Sequence, residues 1–170
     1  EAGLERFADV EFKKHEFSLE SQFTVISWMP LAFFFQTGDS INYDPDNAYL
    51  GYSNTYGVSV VLKPSKRLQL GTDFSKQTFW DRADGEGNWD YNVVREKATY
   101  QFSKTLSFRA IVDYNFFYKQ AFGSLLASWV LRPGTVFFLG FDNNYLRDEF
   151  GHMIRDNYSV FLKFSYWWRL

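Results

Sequence analysis

The dominant pattern along the chain is a period of two, apolar then polar, which is the signature of a half-buried strand. In Thr105–Tyr118, residues Leu106, Phe108, Ala110, Val112, Tyr114, Phe116 and Tyr118 share one side. Ser107, Arg109, Asp113 and Asn115 share the other, and Ile111 and Phe117 break the alternation. In Tyr49–Lys63, residues Leu50, Tyr52, Tyr56, Val58, Val60 and Leu62 oppose Gly51, Ser53, Thr55, Gly57, Ser59 and Lys63. In Arg67–Trp80, residues Leu68, Leu70, Phe74 and Trp80 oppose Arg67, Gln69, Gly71, Asp73, Ser75 and Gln77. The final segment, Tyr158–Leu170, sets Tyr158, Val160, Leu162, Phe164, Tyr166, Trp168 and Leu170 against Ser159, Lys163, Ser165 and Arg169. Weaker alternation marks about Glu16–Trp28, Leu31–Tyr43, Asn92–Phe102, Phe122–Arg132 and Thr135–Tyr145, for nine strands in all. Residues 4–13, with Phe7, Val10 and Phe12 among polar neighbours, are the candidate for a tenth.

The connections alternate in length. Trp28-Met29-Pro30, Lys63–Lys66, Ser103-Lys104 and Arg132-Pro133-Gly134 are short, whereas Asp44–Ala48, Asp81–Tyr91 and Leu146–Ile154 are longer, with Lys119–Ala121 a brief exception. The pattern predicts an all-β fold: one domain over residues 1–170, an antiparallel up-and-down barrel of about nine or ten strands. Outer-membrane barrels show the same contrast of short periplasmic turns and longer outer loops.

A soluble barrel and a membrane barrel alternate alike, one with its apolar face inward and the other with it outward. Three features favour the membrane form. The strands run to nine to thirteen residues, matching the roughly 9–11 of a tilted membrane strand rather than the 5–6 typical elsewhere. Aromatic residues gather near strand ends, as interfacial girdles require. Trp28, Phe102, Trp129, Trp167 and Trp168 lie toward the short turns, and Tyr43, Tyr49, Tyr52, Trp80, Trp89, Tyr118 and Tyr145 toward the long loops. The polar side is charged in mid-strand, with Glu20, Gln22 and Gln101 beside Asp73, Arg95, Lys97, Arg109, Asp113 and Lys163, and these last six are the candidate lumen-lining residues. A closed sheet also satisfies every backbone group in lipid. A soluble barrel's wetted exterior is the rival reading of the same charges.

Composition narrows the classes further. Of the 170 residues, 20 are Phe, 11 Tyr and 6 Trp, too aromatic for disorder. No apolar run reaches the roughly 18–20 residues of a membrane helix, and zero Cys excludes a disulfide scaffold. A net charge of −2 lacks the basic footprint of a nucleic-acid binder, so no nucleic-acid partner is expected. Glu1–Glu5 has neither the basic start nor the apolar stretch of a signal peptide. The expectation is a leader already removed or a chain that begins inside a larger protein.

Two segments carry a family resemblance: Ala98–Asn115, and Ser124–Phe141 followed by Phe161–Leu170. Over residues 90–170 they resemble the C-terminal barrel of a poorly characterised bacterial outer-membrane family. Its members usually carry an N-terminal domain similar to family 9 carbohydrate-binding modules. The resemblance implies a barrel larger than nine or ten strands, with this chain its C-terminal portion; a complete small barrel is the alternative. It transfers no catalytic motif. The last strand, through Val160, Leu162, Phe164, Tyr166, Trp168 and Leu170, also resembles the signal strand read by the barrel-assembly machinery, although many such strands end in Phe and this one in Leu170.

Candidate chemistry is sparse. His152, in the loop Arg147–His152, has acids beside it but no spaced Ser motif, and His15 sits among Lys13, Lys14 and Glu16 as a surface residue. The acidic, Gly-rich Asp81–Asp90 has oxygen ligands for Ca²⁺ but not the spacing of an EF-hand loop, so a flexible loop is the simpler reading. Asp44-Pro45-Asp46-Asn47 is a turn. Tyr49, Trp80, Trp89 and Tyr91 beside these loops are read as girdle residues before sugar-stacking ones. Acidic long loops and basic short turns admit divalent ions that bridge lipopolysaccharide. The expectation is therefore a non-enzymatic integral protein of the bacterial outer membrane, without cofactor or metal. It would be an anchor, or a pore for a polar solute or glycan. Its partners would be the lipid bilayer, lipopolysaccharide, the barrel-assembly machinery and other outer-membrane proteins. The alternative is a structural subunit of an outer-membrane complex.

Overall fold

Alternating side chains suit a pleated strand, whose successive residues point to opposite faces. The computed structural model describes residues 2–81 and 87–167, without the side chains of Ala2, Val25, Gly87 and Asn88. Its strands are β1 (Ala2–Phe7), β2 (Val10–Ile26), β3 (Met29–Asn42), β4 (Tyr49–Leu62) and β5 (Leu68–Trp80). They continue as β6 (Gly87–Gln101), β7 (Leu106–Asn115), β8 (Gln120–Arg132), β9 (Thr135–Arg147) and β10 (Met153–Tyr166). Each pairs antiparallel with the next, in chain order, to give one ten-stranded up-and-down sheet. No helix occurs among the described residues.

The sheet is open. Where the alternation predicts a closed barrel, β1 and β10 are not paired with each other. β1 is six residues long and pairs only with Val10–His15 of β2, and neither it nor the outer edge of β2 beyond it pairs with the fourteen residues of β10.

The tenth strand is present but is not the continuous segment 4–13. A two-residue turn at Ala8 and Asp9, both at positive φ (47° and 60°), splits that segment between β1 and β2. This mirror-image turn matches the twist of the flanking strands. Elsewhere the strands outrun the expected limits. β10 begins at Met153 rather than Tyr158, β6 at Gly87 rather than Asn92, and β2 reaches seventeen residues. The contrast in loop length shrinks accordingly. Connections at one end span two, five, four and two residues, and at the other two, six, six, four and five.

The register sorts side chains onto two faces. Phe33, Val58, Phe74, Val94, Tyr114, Ala121 and Tyr145 follow one another across β3 to β9 on a mainly apolar face. Ser59, Asp73, Arg95, Asp113, Phe122 and Asn144 do so across β4 to β9 on a mainly polar one. Among the described residues, no second layer covers either face over most of the sheet. The only buried apolar side chains among the described residues are Phe12, Ile41 and Phe79.

All three lie toward the longer-loop end, where β2 departs from β3. Beyond Glu16, the β2 backbone crosses so near Gly38 that a Cβ there would stand 2.2 Å from the His15 carbonyl oxygen. Gly38, at φ 149°, supplies a conformation and a clearance that other residues lack. Buried Asp39 then accepts hydrogen bonds from the His15 backbone N–H (2.9 Å) and pairs with His15 Nδ1 at 3.2 Å. The β1–β2 hairpin is further tied down by Tyr43, whose hydroxyl donates to Glu5 at 2.7 Å and whose ring meets Phe7 edge-on. Nearby, Phe79 fills the space above Gly51, where a Cβ would come within 2.5 Å of the Trp80 carbonyl oxygen.

Candidate functional site

The chemistry-bearing side chains concentrate on the polar face. The register places Asp73, Arg95, Lys97, Arg109, Asp113 and Lys163 all on this side. It does not bring all six together. Asp73, Arg95 and Asp113 stand side by side on β5, β6 and β7. Lys97 lies one same-face step nearer the short turns, and Arg109, level with Thr99, one step further. Lys163 is three strands from Arg109, roughly 14 Å at the usual strand spacing.

Arg95 and Asp113 form the strongest polar contact of this face. Arg95 Nε donates to Asp113 Oδ1 at 2.7 Å and Nη2 to Oδ2 at 2.8 Å. A planar guanidinium matches a carboxylate in this two-point fashion. Toward the longer loops, a cleft of about 470 Å³ opens beside the pair. Tyr91, Asn115, Gln120, Phe122 and Asn144 contribute to its lining. Of these, only Tyr91 stands out in the sequence, as an aromatic beside a long loop. The available signal was the alternation itself, which, carried across the β7–β8 turn, puts Gln120 and Phe122 in phase with Asp113.

Aromatic residues join the cleft from the loop side. Phe79 and Trp89 stack with rings 5.5 Å apart and 6° from parallel, and Tyr49 packs on Phe79 at 6.0 Å. Phe117 bridges Trp89 and Tyr91, each 6.3 Å away. Tyr49, Trp89 and Tyr91 lie on the polar face and Trp80 on the apolar one. Proximity to a strand end gives depth but not side.

The apolar face also carries charged residues, Asp39 opposite Tyr52 among them. Lys76 and Asp90 pair at 2.8 Å. Glu96 accepts a hydrogen bond from Thr72 at 2.9 Å. Much of the rest is hydrocarbon, with a groove of about 410 Å³ floored by Ala98, Ala110 and Ala127. Val160, Leu162, Phe164 and Tyr166 of the candidate signal strand stand exposed on it; Trp168 and Leu170 lie outside the described residues.

At the short-turn rim, Lys63, Lys66 and Arg67 surround a second cleft with Trp28. His152 takes Asp148 as its partner, through its backbone N–H at 2.7 Å and Nδ1 at 3.5 Å. Among the described residues, no serine hydroxyl is hydrogen-bonded to either imidazole and no group of three metal-ligating side chains forms. Residues 82–86 of the Asp81–Asp90 loop, considered for Ca²⁺, lie outside the described residues. No protein-family model matches the chain, and no curated protein matches it.

Proposed function

We propose that this chain is the wall of a β-barrel in the bacterial outer membrane, with its apolar face toward lipid and its polar face toward a water-filled interior. It serves as an anchor or as a pore for a polar solute, with no catalytic step. The supporting observation is a ten-stranded single layer with one apolar and one charged face and almost no buried hydrocarbon. In water, an apolar patch beyond a few hundred Å² is a liability; against acyl chains it is matched. A strand of thirteen residues such as β5 spans about 43 Å, enough to cross a hydrocarbon core of about 30 Å at the tilt of membrane strands. The lipid bilayer, lipopolysaccharide at the acidic loops and the barrel-assembly machinery at β10 are the partners this reading entails.

Extraction that requires detergent, with gel migration that shifts on heating, is the expected behaviour. Recovery in the soluble fraction without detergent overturns the reading. For the pore role, Arg109→Glu with Lys163→Glu should shift ion selectivity in planar bilayers toward cations. Unchanged conductance and selectivity would leave only the anchor.

A second reading, a structural subunit of an outer-membrane complex, draws on the outer edge of β10, which pairs with no strand among the described residues. Unpaired edges recruit strands from other chains. Stable co-purification of a defined partner, lost when proline replaces Leu162, would favour it.

A further inference from the structure

We propose that the cleft across β6 to β10 on the polar face binds a neutral saccharide. This rests on the polar face being the wall of a water-filled interior. The volume of about 470 Å³ falls within the range of small-ligand sites, and the lining has the mixture that a polyhydroxylated ring requires. Tyr91 and Phe122 offer ring faces to the C–H side of a sugar. Hydroxyl groups both donate and accept, and the cleft supplies partners for both. Gln120 makes no side-chain hydrogen bond among the described residues, so its amide is available whole. Asn144 donates through Nδ2 to Asn157 at 2.6 Å, which leaves its carbonyl oxygen. Arg95 spends two of its five N–H donors on Asp113. The remaining donors and the outer lone pairs of the carboxylate form an adjacent donor and acceptor, a fit for two neighbouring hydroxyls.

Charge argues for neutrality in the ligand. Among the described residues, Arg95 is the only cation lining the cleft, and Asp113 and Asp156 both line it. Asp73 stands next to Arg95 on the far side. A phosphate or carboxylate would meet an excess of carboxylates. An apolar ligand would strand the amides and the ion pair without partners, which is costly. Trp89 and Phe117 continue the aromatic lining from Tyr91 toward the loops, with buried Phe79 stacked behind Trp89, so the site suits an oligosaccharide entering end-on.

The test is calorimetric titration of the full chain in detergent micelles with maltohexaose, cellohexaose and chitohexaose, and with trigalacturonate as an anionic comparison. Saturable binding of at least one neutral hexasaccharide is expected. Gln120→Ala and Phe122→Ala should each weaken it at least fivefold, while Lys104→Ala, in the β6–β7 turn, leaves it unchanged. Gln120 opens a strand at an exposed position, so its variant keeps the test open should Phe122→Ala fold poorly, as judged by circular dichroism. Absence of binding by all three neutral sugars, tighter binding of trigalacturonate, or binding indifferent to both cleft variants would each overturn the proposal. Micelle titration does not depend on bilayer insertion, so its failure leaves the detergent-extraction test of the membrane reading standing, and the reverse also holds.

Discussion

Glu96 is the residue at which the environment of the apolar face can be read most directly. It stands among Ala98, Val94 and Val112 with Thr72 as its hydrogen-bond partner. If that face meets acyl chains, the carboxylate is a cost, smaller than the 2–4 kcal/mol measured for lysine or arginine at mid-bilayer. Glu96→Leu should then raise stability in lipid vesicles by about 1–2 kcal/mol, seen as a higher guanidinium midpoint. A variant that aggregates and gains nothing in vesicles would place the face in water. Glu5 offers a second check, at the hairpin outside the stretch of β2 that pairs with β3. The Tyr43 hydroxyl, and after it Lys14, hold its carboxyl below the ordinary 4.5. A carboxyl depressed on folding adds stability that is fully present above 4.5 and lost as pH falls through the lower folded value. Carboxyl NMR should show Glu5 titrating below 4.5. Tyr43→Phe should move it back up; an unmoved titration would mean that the Tyr43 hydrogen bond contributes nothing. At this scale, the six polar-face charges were legible because alternation fixes the side once a strand's phase is known. Glu96, between Arg95 and Lys97, had the opposite phase and went unremarked, since a charged residue draws attention to itself and not to its side.

Elements were legible where period two dominated, as in β4, β5 and β7, and blurred where the backbone departs from a flat pleat. The β1–β2 hairpin shows why. Its turn uses Ala8 and Asp9 at positive φ, without the Asn-Gly or Asp-Gly pair that usually announces such a turn. Its bend depends on a contact between Gly38 and His15, twenty-three residues apart in the chain, which no local pattern reports. The bend is specific enough to test. Gly38→Ala adds a Cβ against backbone rather than against a movable side chain, in a dihedral region that costs of order 1–3 kcal/mol for other residues. The loss should fall on the hairpin. Hydrogen exchange should accelerate over residues 2–15 while β5 to β9 keep their protection. Uniform acceleration across the sheet would mean that the hairpin is not a separable unit but part of one cooperative structure.

The whole molecule turns on a count of layers. Folded domains bury an apolar face against a second layer, and this chain has one sheet with hydrocarbon such as Val160 and Leu162 about two-thirds exposed. Something must cover that face, and the candidates differ in which side faces water. Lipid outside a barrel and a dry interior in a soluble one demand opposite phases of the same alternation, which is why sequence periodicity could not separate them. The register now fixes the phase position by position. Spin labels at 125, 139 and 160 report on the apolar face, and labels at 124, 142 and 159 on the polar one. With the protein in lipid vesicles, collisions with dissolved oxygen, which concentrates in hydrocarbon, should be frequent at the first set. Collisions with a water-soluble nickel chelate should be frequent at the second. Because 124 and 125, and likewise 159 and 160, are adjacent in the chain but lie on opposite sides, the contrast cannot arise from depth or from loop mobility. An inverted phase, or nickel access at both sets, would mean that lipid does not cover the apolar face, and the membrane wall would give way to a soluble barrel.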